Sequence, residues 1–225
     1  MASWLFFVFV DVASAVLTLL ITAFFARLWR RSREPLDLLF TIGFLLAAIG
    51  FLSVAVSFLN PFGTFRLVVG LRVSGQTAAA LVLLFAYLSV RVHGAARLWI
   101  ALGWTAATGA VILALLFAAV PPYFAVPNTG TMLAAAHVVM AAAFTACAVM
   151  SGRGFARRRT LDRTLVPAAF LSMAVGNYTW LIYDVFEIDG LVSLAYMWRL
   201  LALVLFLLAV LLPARSPEEM TRAAA

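Results

Sequence analysis

An all-α integral membrane protein of seven transmembrane helices, built as a 3+1+3 parallel internal repeat, is predicted by three observations. Hydrophobic residues fill 66% of 225 positions at a mean hydropathy of +1.10, well above the roughly half apolar content of soluble domains. Seven apolar runs, each near the ~20 residues that cross a bilayer, fall at about 4–29, 36–59, 67–91, 96–119, 130–150, 165–186 and 190–212. Two stretches, starting at residues 36 and 161, carry the same landmarks in the same order. Leu36-Asp37 answers Leu161-Asp162, Phe44 answers Phe170, Gly50 answers Gly176, Gly63 answers Gly190, and Arg72 answers Arg199.

The first run contains Ala13-Ser14-Ala15, which resembles a signal-peptidase site. No positive segment precedes it, Asp11 interrupts the apolar stretch, and hydrophobicity continues to Trp29, so a retained first helix is expected. The connections then alternate in charge. RRSREPLD after the first helix, VRVHGAAR after the third, SGRGFARRRTLDRT after the fifth and the tail PARSPEEMTRAAA carry most of the arginines. NPFGTFR, PPYFAVPNTG and EIDG carry one between them. By the positive-inside rule the arginine-rich set is cytoplasmic, which puts the N-terminus outside and the C-terminus inside. Helices 1–3 and 5–7 then cross in the same directions, and the fourth helix is the odd one that makes this parallel arrangement possible. The expected units are residues 1–91, a linking helix and outer loop over 92–129, and a second three-helix unit with a short tail over 130–225.

Composition excludes several functions. All 16 basic residues are arginine, and without a lysine no Schiff base forms. A covalent retinal is therefore excluded, and no cofactor is expected. A net charge of +7 would suggest nucleic acid in a soluble protein; here the arginines sit in short loops and read as topology signals. The lone Cys147 lies in an apolar run, which leaves neither a disulfide framework nor a thiolate metal site.

In helix count and repeat the layout resembles the SWEET sugar carriers and the microbial rhodopsins. The resemblance is architectural. The Pro-Gln pair of SWEET-type repeats is absent, and the seventh helix has Arg199 where a rhodopsin needs its lysine. No functional residue is carried over from either family.

Ionisable groups at bilayer depth are costly, so each is a functional hypothesis. Asp11, Arg72, His137, Asp184 and Arg199 all fall in the outer half of their helices, whereas helices 2 and 4 hold no charge beyond Asp37 and Arg97 at their inner ends. Two carboxylates and two guanidiniums can neutralise one another. Asp11 is expected to pair with Arg72 or Arg199, and Asp184 with Arg199. Helical spacing adds Gln76 one turn below Arg72, Asn177 and Trp180 on the face of Asp184, and Tyr196 one turn above Arg199. Two readings of this cluster stand: ion pairs that fix helix register, or a small-molecule pocket with aromatic walls and polar anchors. His137 is expected to be a hydrogen-bonded packing residue; no metal site is expected. Gly50, Ser53 and Ser57 in helix 2, and Thr105, Thr108 and Gly109 in helix 4, are expected to let helices pack closely. Arg157, Arg158 and Arg159 could contact anionic lipid headgroups or an acidic partner.

An enzyme is not expected. Tyr183-Asp184 resembles the YD motif of presenilin-type proteases, yet helix 7 supplies neither a GxGD motif nor an aspartate. The expected function is a sensor, receptor-like protein or accessory subunit, with an outward pocket closed from below by leucine and phenylalanine. It would bind a small molecule or a membrane partner, or a second copy of itself. The alternative is a small-solute transporter of SWEET-like layout, and nucleic acid is not an expected partner.

Overall fold

The computed structural model describes residues 2–59, 65–119, 129–157, 161–188 and 190–212, and all their regular structure is helical. The helices are α1 (Ala2–Ser32), α2 (Pro35–Leu59), α3 (Phe65–Arg91), α4 (Ala96–Ala119), α5 (Thr129–Arg157), α6 (Leu161–Phe186) and α7 (Gly190–Leu211), with a 3₁₀ turn His93–Ala95 before α4. All seven are long and apolar enough to cross a membrane. Several outrun their apolar stretches: α1 continues to Ser32, and α5 to Arg157. An apolar run measures what fits in hydrocarbon, whereas helical hydrogen bonding continues into polar residues.

Two tight corners are fixed by local chemistry. At the end of α1, Arg33 adopts φ 57° and its N–H donates to Trp29 O at 2.8 Å, closing the last turn in the manner of a left-handed cap. Pro35 then opens α2, where its missing N–H costs nothing. Ser32 Oγ donates to Asp37 Oδ2 at 2.5 Å, and accepts from the Glu34 N–H at 3.1 Å. The end of α6 repeats the device: Glu187 has φ 54° and its N–H donates to Tyr183 O at 2.7 Å.

Packing closes six helices into a ring. The neighbours run α1–α2–α3–α5–α6–α7 and back to α1, while α4 lies outside, against α3 and the flank of α2. Among the described residues α4 does not touch α5. We call the end where α1 begins the near end, and the end where α7 finishes the far end. Among the described residues half of the buried apolar side chains are alanines, including Ala79, Ala80, Ala141, Ala169 and Ala202. Small side chains let helix backbones come close where apolar surroundings give no separate driving force. Several buried hydroxyls bond back along their own helices, as Thr18 Oγ1 does to Ser14 O at 2.6 Å and Thr22 Oγ1 to Thr18 O at 2.8 Å.

The fourth helix departs from expectation. Thr105 and Thr108 are exposed, and a Cβ built on Gly109 meets nothing within 4 Å. Because α4 sits outside the ring, that face has no close neighbour among the described residues, whereas a Cβ on Gly103 would lie 3.1 Å from Leu39 Cδ2 of α2. In α2 the expectation holds for Gly50 and Ser53, which are buried, while the side chain of Ser57 lies outside the described residues.

Candidate functional site

The site is assembled at the near end, where α1 meets α7 on one side and α3 meets α5 on the other. Arg199 Nη2 donates to Asp11 Oδ1 at 2.5 Å, and Tyr196 O–H donates to Asp11 Oδ2 at 3.3 Å. Asp11 is fully buried and Arg199 is 9% exposed, so desolvation makes each dependent on the other. The guanidinium is also sandwiched by rings, with Cζ 4.6 Å from the Phe51 centroid and 4.4 Å from that of Tyr196.

At the other junction, His137 Nδ1 is 2.7 Å from Asp184 Oδ2. The imidazole stacks on Trp180 at 5.6 Å and 13°. Arg72 places its Cζ 5.0 Å from the centroid of that same indole, and among the described residues no carboxylate lies within ion-pair distance of it. Trp180 also meets Tyr196 edge-on at 5.5 Å, which ties the two junctions together.

Glycines set the spacing. A Cβ on Gly176 would lie 3.3 Å from Trp198 Cβ and 3.4 Å from Ala195 O, so α6 and α7 touch backbone to backbone beside Arg199. On the opposite side a Cβ on Gly50 would lie 2.6 Å from Gln76 Cγ, and one on Gly75 3.2 Å from Leu46 O. These contacts hold Arg199 and Gln76 facing the bundle axis.

Between the junctions lies a cavity of about 50 Å³. Arg72, Gln76, His137, Asn177, Trp180 and Arg199 form its polar part, and Met140, Phe144, Met173 and Leu203 are among the apolar residues that continue it. Asn177 Nδ2 is engaged with Met173 O at 2.8 Å. In contrast, Gln76 Nε2 and Arg199 Nε are buried donors with no hydrogen-bond partner among the described residues. Unpaired buried donors are uncommon and costly.

Toward the far end a second cavity of about 670 Å³ is lined by Phe25, Phe40, Tyr87, Val166 and Phe170, among others. It shares Phe44 and Phe206 with the first cavity. Phe206 lies edge-on to Phe44 at 5.5 Å and to Phe170 at 4.7 Å. Phe44 and Phe206 thus stand between the two volumes.

Of the nine residues expected from the sequence, six line the cavity; Asp11, Asp184 and Tyr196 stand behind them as partners of Arg199, His137 and Asp11. The Asp11–Arg199 pairing is present. Asp184, expected on Arg199, takes His137 instead: it meets α5 on one side of the adjacent α6–α7 pair, whereas Arg199 meets Asp11 of α1 on the other. Of the Arg157–Arg159 run, Arg157 ends α5 without a described side chain, and Arg158 and Arg159 lie outside the described residues. Sequence reasoning missed Phe51, and missed Ser14, Thr18 and Thr22, which continue a buried stripe from Asp11 along α1. The stripe was available as a three- and four-residue spacing of polar side chains; Phe51, one of many phenylalanines, carried no signal. Among the described residues no three His, Cys, Asp or Glu side chains converge as metal ligands would. No family model, no curated protein and no solved structure matches this chain.

Proposed function

We propose that the chain is a multi-pass protein of the cytoplasmic membrane that binds a small molecule in the near-end cavity, as a sensor, a receptor-like protein or an accessory subunit. The observation that carries this reading is that Arg72, without a carboxylate in ion-pair distance among the described residues, and the unpartnered buried donors Gln76 Nε2 and Arg199 Nε belong to side chains lining one cavity with aromatic walls. The near end faces outward in this proposal, because the arginine-rich connections all belong to the far end. There the Arg157–Arg159 run meets anionic lipid or a partner chain.

A parallel repeat supports a site between two like halves. Exchanging α1–α3 with α5–α7 carries the α3–α5 junction onto the α7–α1 junction, so the ring of contacts is unchanged. Phe44 and Phe170 are both buried in the core. Gly50 and Gly176 both face the third helix of their own unit, and Arg72 and Arg199 both rest on aromatic rings.

Thermal stability of the purified protein in lipid nanodiscs, screened against a library of small polar compounds, tests the reading. A binder is expected to raise the melting temperature, and Trp180→Ala to remove that shift. A library without a single stabilising compound counts against a ligand site and leaves the charges as structural pairs.

A second reading, a small-solute transporter of SWEET-like layout, is favoured by the far-end cavity behind Phe44 and Phe206. On that reading proteoliposomes accumulate the ligand, Arg199→Ala abolishes uptake in folded protein, and Phe206→Ala makes the path leaky. Stable co-purification of a partner chain with no flux selects the subunit instead.

A further inference from the structure

We infer that the ligand of the near-end cavity is a small monocarboxylate, held by Arg72 in the way that Asp11 is held by Arg199. The inference rests on the small-molecule reading above and on a difference between the two junctions. Arg72 and Arg199 stand 127 residues apart (199 − 72), and Asp11 and His137 stand 126 apart (137 − 11), within the drift of the repeat. Asp11 is therefore matched by His137. At the α1–α7 junction the guanidinium has a carboxylate within 2.5 Å; at the α3–α5 junction the corresponding position is an imidazole, already engaged with Asp184. Among the described residues Arg72 is left with the face of Trp180 and the cavity. A guanidinium in apolar surroundings calls for an anion, and its planar fork suits a carboxylate in two-point contact.

The rest of the cavity fits that head group. Gln76 Nε2 and Arg199 Nε are two more donors without acceptors, and donors are what an anion recruits. Beyond them Met140, Phe144 and Leu203 supply an apolar wall for a short hydrocarbon body. Size narrows the class. A cavity of about 50 Å³ is of the order of a few water-sized occupants. Propionate, among the smallest carboxylates with an apolar body, suits a space of that order.

Calorimetric titration of the full-length protein in nanodiscs with propionate, 1-propanol, propylammonium and decanoate tests the assignment. Propionate is expected to bind saturably with one-to-one stoichiometry and at least tenfold tighter than the others. Arg72→Gln is expected to weaken it at least tenfold. A second variant guards against misfolding: His137→Asp combined with Asp184→Asn places the missing carboxylate inside the protein. That variant is expected to keep or raise the melting temperature while losing propionate. Equal binding of propionate and 1-propanol, or full propionate affinity in the double variant, overturns the inference. Should 1-propanol or propylammonium bind in a Trp180-dependent way while propionate does not, the carboxylate assignment falls and the small-molecule site stands. If no compound of this panel or the wider library binds, both fall.

Discussion

The Asp11–Arg199 pair is the most consequential contact at the scale of single residues. Both ions are withdrawn from solvent, so removing one strands the other, at a cost of about 3–5 kcal/mol, whereas replacing both by apolar groups is often neutral. Asp11→Asn is accordingly expected to destabilise the protein by about that amount, measured by denaturant unfolding in bicelles. Asp11→Leu with Arg199→Leu is expected to recover most of the loss; a double variant as unstable as the single one would show that the pair does more than neutralise itself. The charged residues of this cluster stand out in the sequence because an ion in an apolar run has few explanations. Which ion met which was not legible, since the choice of His137 for Asp184 depends on the order of helices around the ring. Phe51 was invisible for a related reason: a ring beneath a guanidinium looks like any other lipid-phase phenylalanine until the helices are placed.

Among the elements, α6 and α7 meet most closely at Gly176, and α4 stands apart. Overpacking a tight contact costs typically 1–3 kcal/mol, so Gly176→Leu is expected to lose about that much, and to weaken ligand binding by pushing Arg199 off the axis. Gly109→Ala, at a site with open space around it, is expected to leave stability within about 0.5 kcal/mol. Comparable unfolding midpoints for the two variants would contradict the packing described here. Helix existence was legible because each apolar run approaches bilayer length. Helix ends were less so, as with α5, which extends to Arg157 through glycine and arginine. The fate of the Thr105–Gly109 face could not be read, because small residues on a helix look alike whether they meet a neighbour or none.

For the whole molecule, the proposed orientation and the ring make separate claims. In a Cys147→Ala background, a cysteine at Arg33 is expected to react with a membrane-impermeant thiol reagent only from the cytoplasmic side, and one at Glu187 only from outside. The reverse pattern would turn the cavity inward and undo the outward-facing site. The twofold arrangement proposed above rests on the spacing of Phe44, Gly50 and Arg72 against Phe170, Gly176 and Arg199, while the seven helices themselves were legible from the sequence. The closed ring with α4 outside it was not, because the lateral order of helices is decided by side-chain fit over apolar surfaces, which leaves no periodic trace.

Cys147 is the sole thiol of the chain and is fully enclosed, packed among the core residues of α5. It therefore serves as an internal clock: the pace at which a small alkylating agent modifies the unaltered protein reports how often the bundle breathes open. Any occupant that braces the helices should slow that clock, with no dye, tag or engineered label required.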